Sequence, residues 1–137
     1  MRDFKTFFYN KLKFASNIYI SFRDRRSIWL ALPGNFLDLS IFPKSTVFGH
    51  PFGIAIRKNA IFGERCKISH GVTIGVRRTV LNPFVIEDAP IIGNDVYFGA
   101  YATVLGPIHI GDGARIGAHA TVLADVPPGA TVVGLWS

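Results

Sequence analysis

Residues 92–123 read IGNDVYFGAYATVLGPIHIGDGARIGAHATVL, and an apolar residue returns at every sixth position: Ile92, Phe98, Val104, Ile110, Ile116 and Val122. Gly follows directly after Ile92, Phe98, Ile110 and Ile116. Counting back by six from Ile74 gives Ile68, Phe62 and Ile56, and one further step lands on His50. A fixed short period marks a repeat architecture and outranks local propensity. A six-residue strand-and-turn unit cannot bury its apolar side alone, so it stacks coil upon coil into a solenoid. Small or β-branched residues fill the fifth place of most units (Val96, Ala102, Ile108, Ala114, Ala120, Val126), beside the aliphatic first place in a narrow interior. Cys66 sits in that same fifth place, which makes it a core thiol rather than a nucleophile.

The chain has 137 residues, enough for one domain or a repeat core with a short appendage. Its hydrophobic content of 49% suits a buried core and excludes a disordered chain. With one Cys there is no intrachain disulfide, so nothing points to an oxidising compartment. No apolar run is long enough to span a bilayer, and no secretory signal is expected, which gives a cytoplasmic expectation. The net charge of +6 is concentrated in residues 1–30, where seven basic groups face only Asp3 and Asp24. The repeat region is nearly neutral, which argues against nucleic acid as a partner.

Along residues 3–22, Phe4, Phe7, Phe8, Leu12, Ala15, Ile18, Tyr19 and Phe22 recur at three- and four-residue spacing and predict an amphipathic helix. Its stripe either packs on the solenoid or a sister subunit, or lies on an anionic membrane at the inner face. Pro33-Gly34 ends a second helical turn near Ser27–Leu32, so residues 1–34 form a helical segment and 35–137 the solenoid. Between Ile74 and Ile92 the pattern lapses: Asn82-Pro83 and Ala89-Pro90 interrupt strands and Arg77-Arg78 adds charge. Residues 76–91 therefore read as a loop leaving the solenoid, with one irregular coil as the alternative.

The hexapeptides, the segments GHPFGIAI (49–56) and ISHGVTIG (68–75), and the closing VLADVPPGATVVG (122–134) resemble the hexapeptide-repeat acyltransferases. The resemblance covers about residues 36–134 and is to the serine O-acetyltransferase-like branch, including its short members associated with capsule and exopolysaccharide synthesis. It implies a left-handed parallel β-helix, a homotrimer with active sites between subunits, acetyl-CoA as donor and a hydroxyl as acceptor. No metal is implied, and four His with one Cys form no ligand spacing.

Acetyl transfer from a thioester to an alcohol needs a base for the hydroxyl proton, donors for the oxyanion and a slot for the pantetheine arm. Histidine suits the base because its ordinary pKa lies near neutrality. His50 matches the family's catalytic His, and stands where the repeat expects an aliphatic first place; a broken local rule of this kind marks functional sites. Its alternative is a satisfied structural His. His70, before Gly71-Val72-Thr73, is a candidate to line the same cleft, or else an exposed turn residue. His109 and His119 occupy turn-prone places and read as structural. Asp38, twelve positions before His50, is the candidate to orient it. The resemblance implies CoA contacts at Gly99, Ala100, Gly117 and Ala118.

Two departures count against serine as acceptor. Ala89 stands before Pro90 where the serine branch has a second His, and no large N-terminal helical domain is expected. Lys is replaced by Ala124 in the VLADVPP stretch, and the chain closes on Gly134-Leu135-Trp136-Ser137, so the CoA 3′-phosphate lacks two basic contacts; Arg77, Arg78 or Arg115 of a neighbour are the substitutes. The expectation is an O-acetyltransferase acting on a sugar or glycan precursor. Serine acetylation and a non-catalytic β-helix scaffold are the rivals.

Overall fold

The computed structural model describes residues 38–77 and 89–137. The expected helices at 3–22 and 27–32, and residues 78–88, lie outside the described residues.

After a 3-10 turn at Leu39–Ile41, the described residues run through thirteen short strands that pair in parallel in three sheets. The first sheet holds β1 (Val47–Gly49), β4 (Lys67–Ser69), β7 (Tyr97–Phe98), β10 (Arg115–Ile116) and β12 (Thr131–Val132) in that order. The second holds β2 (Ala55–Ile56), β5 (Thr73–Gly75), β8 (Thr103–Leu105), β11 (Thr121–Val122) and β13 (Leu135–Trp136). The third holds β3 (Ile61–Phe62), β6 (Ile91–Ile92) and β9 (His109–Ile110), extended by a bridge from Ile110 to Val126. Successive strands belong to successive sheets as far as β11, and the Val126 bridge takes the third side before β12, so each turn of the chain is one three-sided coil. Backbone donors of the strands find carbonyls in the adjoining coil, as Gly93 N does at Ile110 O (2.8 Å).

The hexapeptide first places point inward and pair in register. Ile92↔Ile110, Phe98↔Ile116 and Val104↔Val122 each lie eighteen residues apart. Phe98, Val104, Ile116 and Val122 are fully buried, as are the fifth-place Ala102, Ala114 and Ala120. Alternation along two-residue strands places one side chain in and the next out, which is why Ile61 and Ile91 are exposed while Phe62 and Ile92 are buried.

Registers depart from eighteen in the early coils and again in the last one, where Ile116 pairs with Val132 sixteen apart and Thr121 with Leu135 fourteen apart. Phe62 pairs with Ile92, and Ile74 with Val104, each thirty apart, so the chain from Val76 to Pro90 carries twelve residues beyond a regular coil. Phe48 pairs with Ile68, twenty apart, whereas Ala55 and Thr73 keep the regular eighteen. The corner between β1 and β2 thus holds two extra residues. This corrects the placement of His50: the first place of this coil belongs to Phe48, and His50 lies on the enlarged corner, exposed. The count of six back from Ile56 misleads because it assumes no insertion. Phe42 continues the true series six before Phe48. Its ring meets Phe62 at 4.6 Å and Phe48 edge-on at 5.0 Å, closing the first end of the core.

Candidate active-site corner

The corner between the first and second sheets collects most of the residues with chemistry. In successive coils it consists of His50 to Gly53, His70-Gly71, Gly99 to Tyr101, Gly117 to His119, and Val133-Gly134. Backbone hydrogen bonds tie it together along the solenoid axis. Gly71 N donates to Phe52 O (2.7 Å), Tyr101 N to His70 O (2.9 Å) and His119 N to Ala100 O (2.9 Å).

His50 has φ 52°, in the left-handed region, and its carbonyl accepts from Phe52 N at 2.7 Å. This tight reversal projects the two extra residues outward. His70 is half-buried in the next coil, edge-on to Tyr101 with ring centroids 5.1 Å apart. Tyr101 in turn stacks on His119, centroids 5.2 Å apart and planes 13° apart. Three rings therefore form a ladder up the corner. Tyr101 escapes a search for acid–base residues because a lone Tyr carries no motif. Its signal was positional: it shares the fourth place of its hexapeptide with His119. His119 stands at the turn expected from sequence, with its ring in this ladder. His109 is not at a turn; it lies on β9 with its backbone N–H donating to Asp125 Oδ1 (2.8 Å), on another side of the coil.

Asp38 spends its carboxylate locally: Oδ1 accepts from Ser40 N (3.0 Å) and Ser40 Oγ (2.6 Å), an Asx cap on the 3-10 turn. Among the described residues no hydrogen bond or ion pair joins it to His50. Gly99, Ala100, Gly117 and Ala118 all stand at the corner beside the ladder. Gly99 has a packing reason of its own, since a Cβ there would lie 2.5 Å from Ala118 N. No group of three or more His, Cys, Asp or Glu is arranged to hold a metal ion among the described residues.

The neighbouring corner, between the third and first sheets, is built differently. Arg65 donates from Nε and NH2 to both oxygens of Asp95 (2.7 Å each), and this hydrogen bonding holds the Asp95 carboxyl below its usual range. Glu64 N donates to Asn94 Oδ1 (2.8 Å), and Asn94 N to Asp112 Oδ1 (2.7 Å). Every one of these groups is spent on the coil below or above, which is what a structural corner looks like. Cys66, fully buried beneath it, lies with Sγ 3.2 Å from Gly93 O, and burial pushes its thiol pKa up. That is an inert core thiol, as its place in the repeat predicted.

Residues 89–124 match the family model described as bacterial transferase hexapeptide (six repeats). These residues carry six-residue repeats of the kind that model describes. A serine acetyltransferase of Mycobacterium tuberculosis is 40% identical over 103 residues, 75% of this chain and 41% of that protein. One from Helicobacter pylori is 44% identical over 85 residues, 62% of this chain and 47% of its own length. The solved serine acetyltransferase of Neisseria gonorrhoeae in complex with serine is 39% identical with a TM-score of 0.58, covering 66% of this chain and 35% of that one. The chain thus spans less than half the length of these relatives. The hexapeptide solenoid is a left-handed parallel β-helix. The relatives' names support the serine branch and lend nothing to the capsule and exopolysaccharide branch expected from sequence.

Proposed function

We propose that this chain forms the β-helix of an acetyl-CoA-dependent O-acetyltransferase whose acceptor is serine or a similarly small hydroxy compound. The observation that carries it is the single corner on which His50, His70 and the Gly99-Ala100 and Gly117-Ala118 pairs fall in consecutive coils. The names of the relatives support serine over the sugar first expected. In this reading the acceptor oxygen adds to the thioester carbonyl while its proton passes to His50. The C–S bond then breaks, and the proton goes on to the departing sulfur, releasing free CoA. Backbone N–H groups of the corner are the candidates to hold the oxyanion. His70 contacts the acceptor. Asp38 orients His50 only if it gives up its bonds to Ser40.

The experiment is thiol release from acetyl-CoA by the full chain, with serine, serine analogues and nucleotide sugars as acceptors. Serine-dependent release that falls by about 10²-fold or more in His50→Ala supports the reading. Absence of release with every acceptor, together with no protection by CoA against thermal unfolding, favours the scaffold reading. A sugar acceptor remains the second reading because of Ala89. This residue is 7% exposed and part of the core, where the serine branch places a second His. Release with nucleotide sugars but not serine would establish it.

Homotrimeric assembly and a cytoplasmic setting, with residues 3–22 packed on the solenoid or a sister subunit or else lying on a membrane face, belong to the same proposal. Light scattering and vesicle co-sedimentation test them.

A further inference from the structure

Tyr101 and His119 have φ of 59° and 58°, a conformation costly for any residue with a side chain. At the same corner Gly53, Gly71 and Gly134 supply it without penalty, at φ 65°, 67° and 68°. Burial does not offset the cost, because Tyr101 is 53% exposed and His119 is exposed as well. Arg65 and Asp95 at the structural corner share this conformation, φ 56° and 57°, so what sets Tyr101 and His119 apart is the pair of rings they expose. Here they present a ring ladder. Tyr101 is seated on the bare Cα side of Gly71, where a Cβ would lie 2.3 Å from its Cδ1, and His119 stacks on Tyr101 from the next coil.

The ladder stops at His119 for a reason of register. Ile116↔Val132 and Thr121↔Leu135 leave only Val133-Gly134 at the next corner, where the coil below has four residues. The corner is enlarged by two residues at the His50 end and cut by two at the His119 end. Coils stack about 4.8 Å apart, so His50 in the first coil and His119 in the fourth are separated by about 14 Å along the axis. An extended pantetheine arm spans about 15 Å, at about 3.5 Å per three chain bonds. With the thioester at His50, the nucleotide of the donor reaches the His119 end. Among the described residues, the members of this corner from His50 to Gly134 include no Lys or Arg to meet its phosphates.

We propose that Tyr101 and His119 form a stacking ledge for the purine of the acyl-donor nucleotide, so that this chain holds its donor by ring stacking rather than by charge. The inference rests on the acetyl-CoA reading above and adds how the donor is selected.

Calorimetric titration of the full chain with CoA, 3′-dephospho-CoA and pantetheine tests it, in wild type, His119→Gly, His119→Phe and Tyr101→Gly. Gly accepts the backbone of both positions, so the variants fold, and thermal unfolding checks this. Wild type is expected to bind CoA and dephospho-CoA alike and pantetheine about tenfold more weakly. His119→Gly and Tyr101→Gly bring CoA down to the pantetheine level and leave pantetheine unchanged, while His119→Phe keeps the preference. Raising salt changes little, because stacking is not screened. An unchanged ratio of CoA to pantetheine affinity in His119→Gly, or a preference that depends on the 3′-phosphate and vanishes with salt, overturns the ledge while leaving the enzyme reading intact. Failure to bind any of the three compounds overturns both.

Discussion

At His50 and Tyr101 the backbone itself is unusual, and magnitude decides what each substitution does. A left-handed conformation costs a residue with a side chain about 1–2 kcal/mol, and an aromatic pair returns about 0.5–1.5 kcal/mol. Tyr101→Gly therefore removes two terms of similar size, and its melting temperature is expected to stay near that of wild type. A large loss would show that the ring is structural. Two glycines illustrate different constraints. Gly99 leaves no room, with Ala118 N 2.5 Å from the position of a Cβ, so Gly99→Ala is expected to cost about 1–3 kcal/mol in urea unfolding. Gly113 meets nothing within 4 Å but has φ +69°, so Gly113→Asn, a residue that tolerates this region, is expected to be nearly neutral where Gly99→Asn is not.

Corners are the elements that distinguish this solenoid, since the strands are nearly interchangeable. Deleting Pro51 and Phe52 returns the first corner to the length of the His70 corner. The far-ultraviolet spectrum is expected to survive and the proposed acetyl transfer to be lost, because His50 then follows the regular path. Activity that persisted would remove His50's special placement from the argument. The Arg65–Asp95 pair tests the structural corner. Asp95 has a lowered pKa, so it contributes stability above the ordinary carboxylate range and loses it as the pH falls through the lowered value. The melting temperature of Asp95→Asn is expected to lie slightly below wild type at pH 7, and the gap to close below about pH 3.9. Both side chains are exposed, so the effect is small.

In the whole molecule, each coil touches only its neighbours, so stability is a sum of coil and interface contributions. Truncating Phe98, the largest fully buried side chain among the described residues, to Ala is expected to cost about 3–5 kcal/mol in denaturant unfolding. Hydrogen exchange at Phe98 and Ile116 in the middle coils should be slower than at Phe48 and Trp136 at the ends. The solenoid, its inward residues and the core thiol were legible in sequence because a six-residue period fixes which side chain points inward without reference to any distant residue. Periodicity could not supply register. The two residues inserted before Gly53 are invisible to a count of six, and they moved His50 from an apparent core place to an exposed corner. Nor could it show that Tyr101 and His119, eighteen residues apart, stack, or that Asp38 is spent on Ser40. The sequence by itself determined the repeat, because burial along the chain is a local property of each unit. Only the tertiary structure decided which residues share a corner, because that depends on how insertions shift one coil against the next.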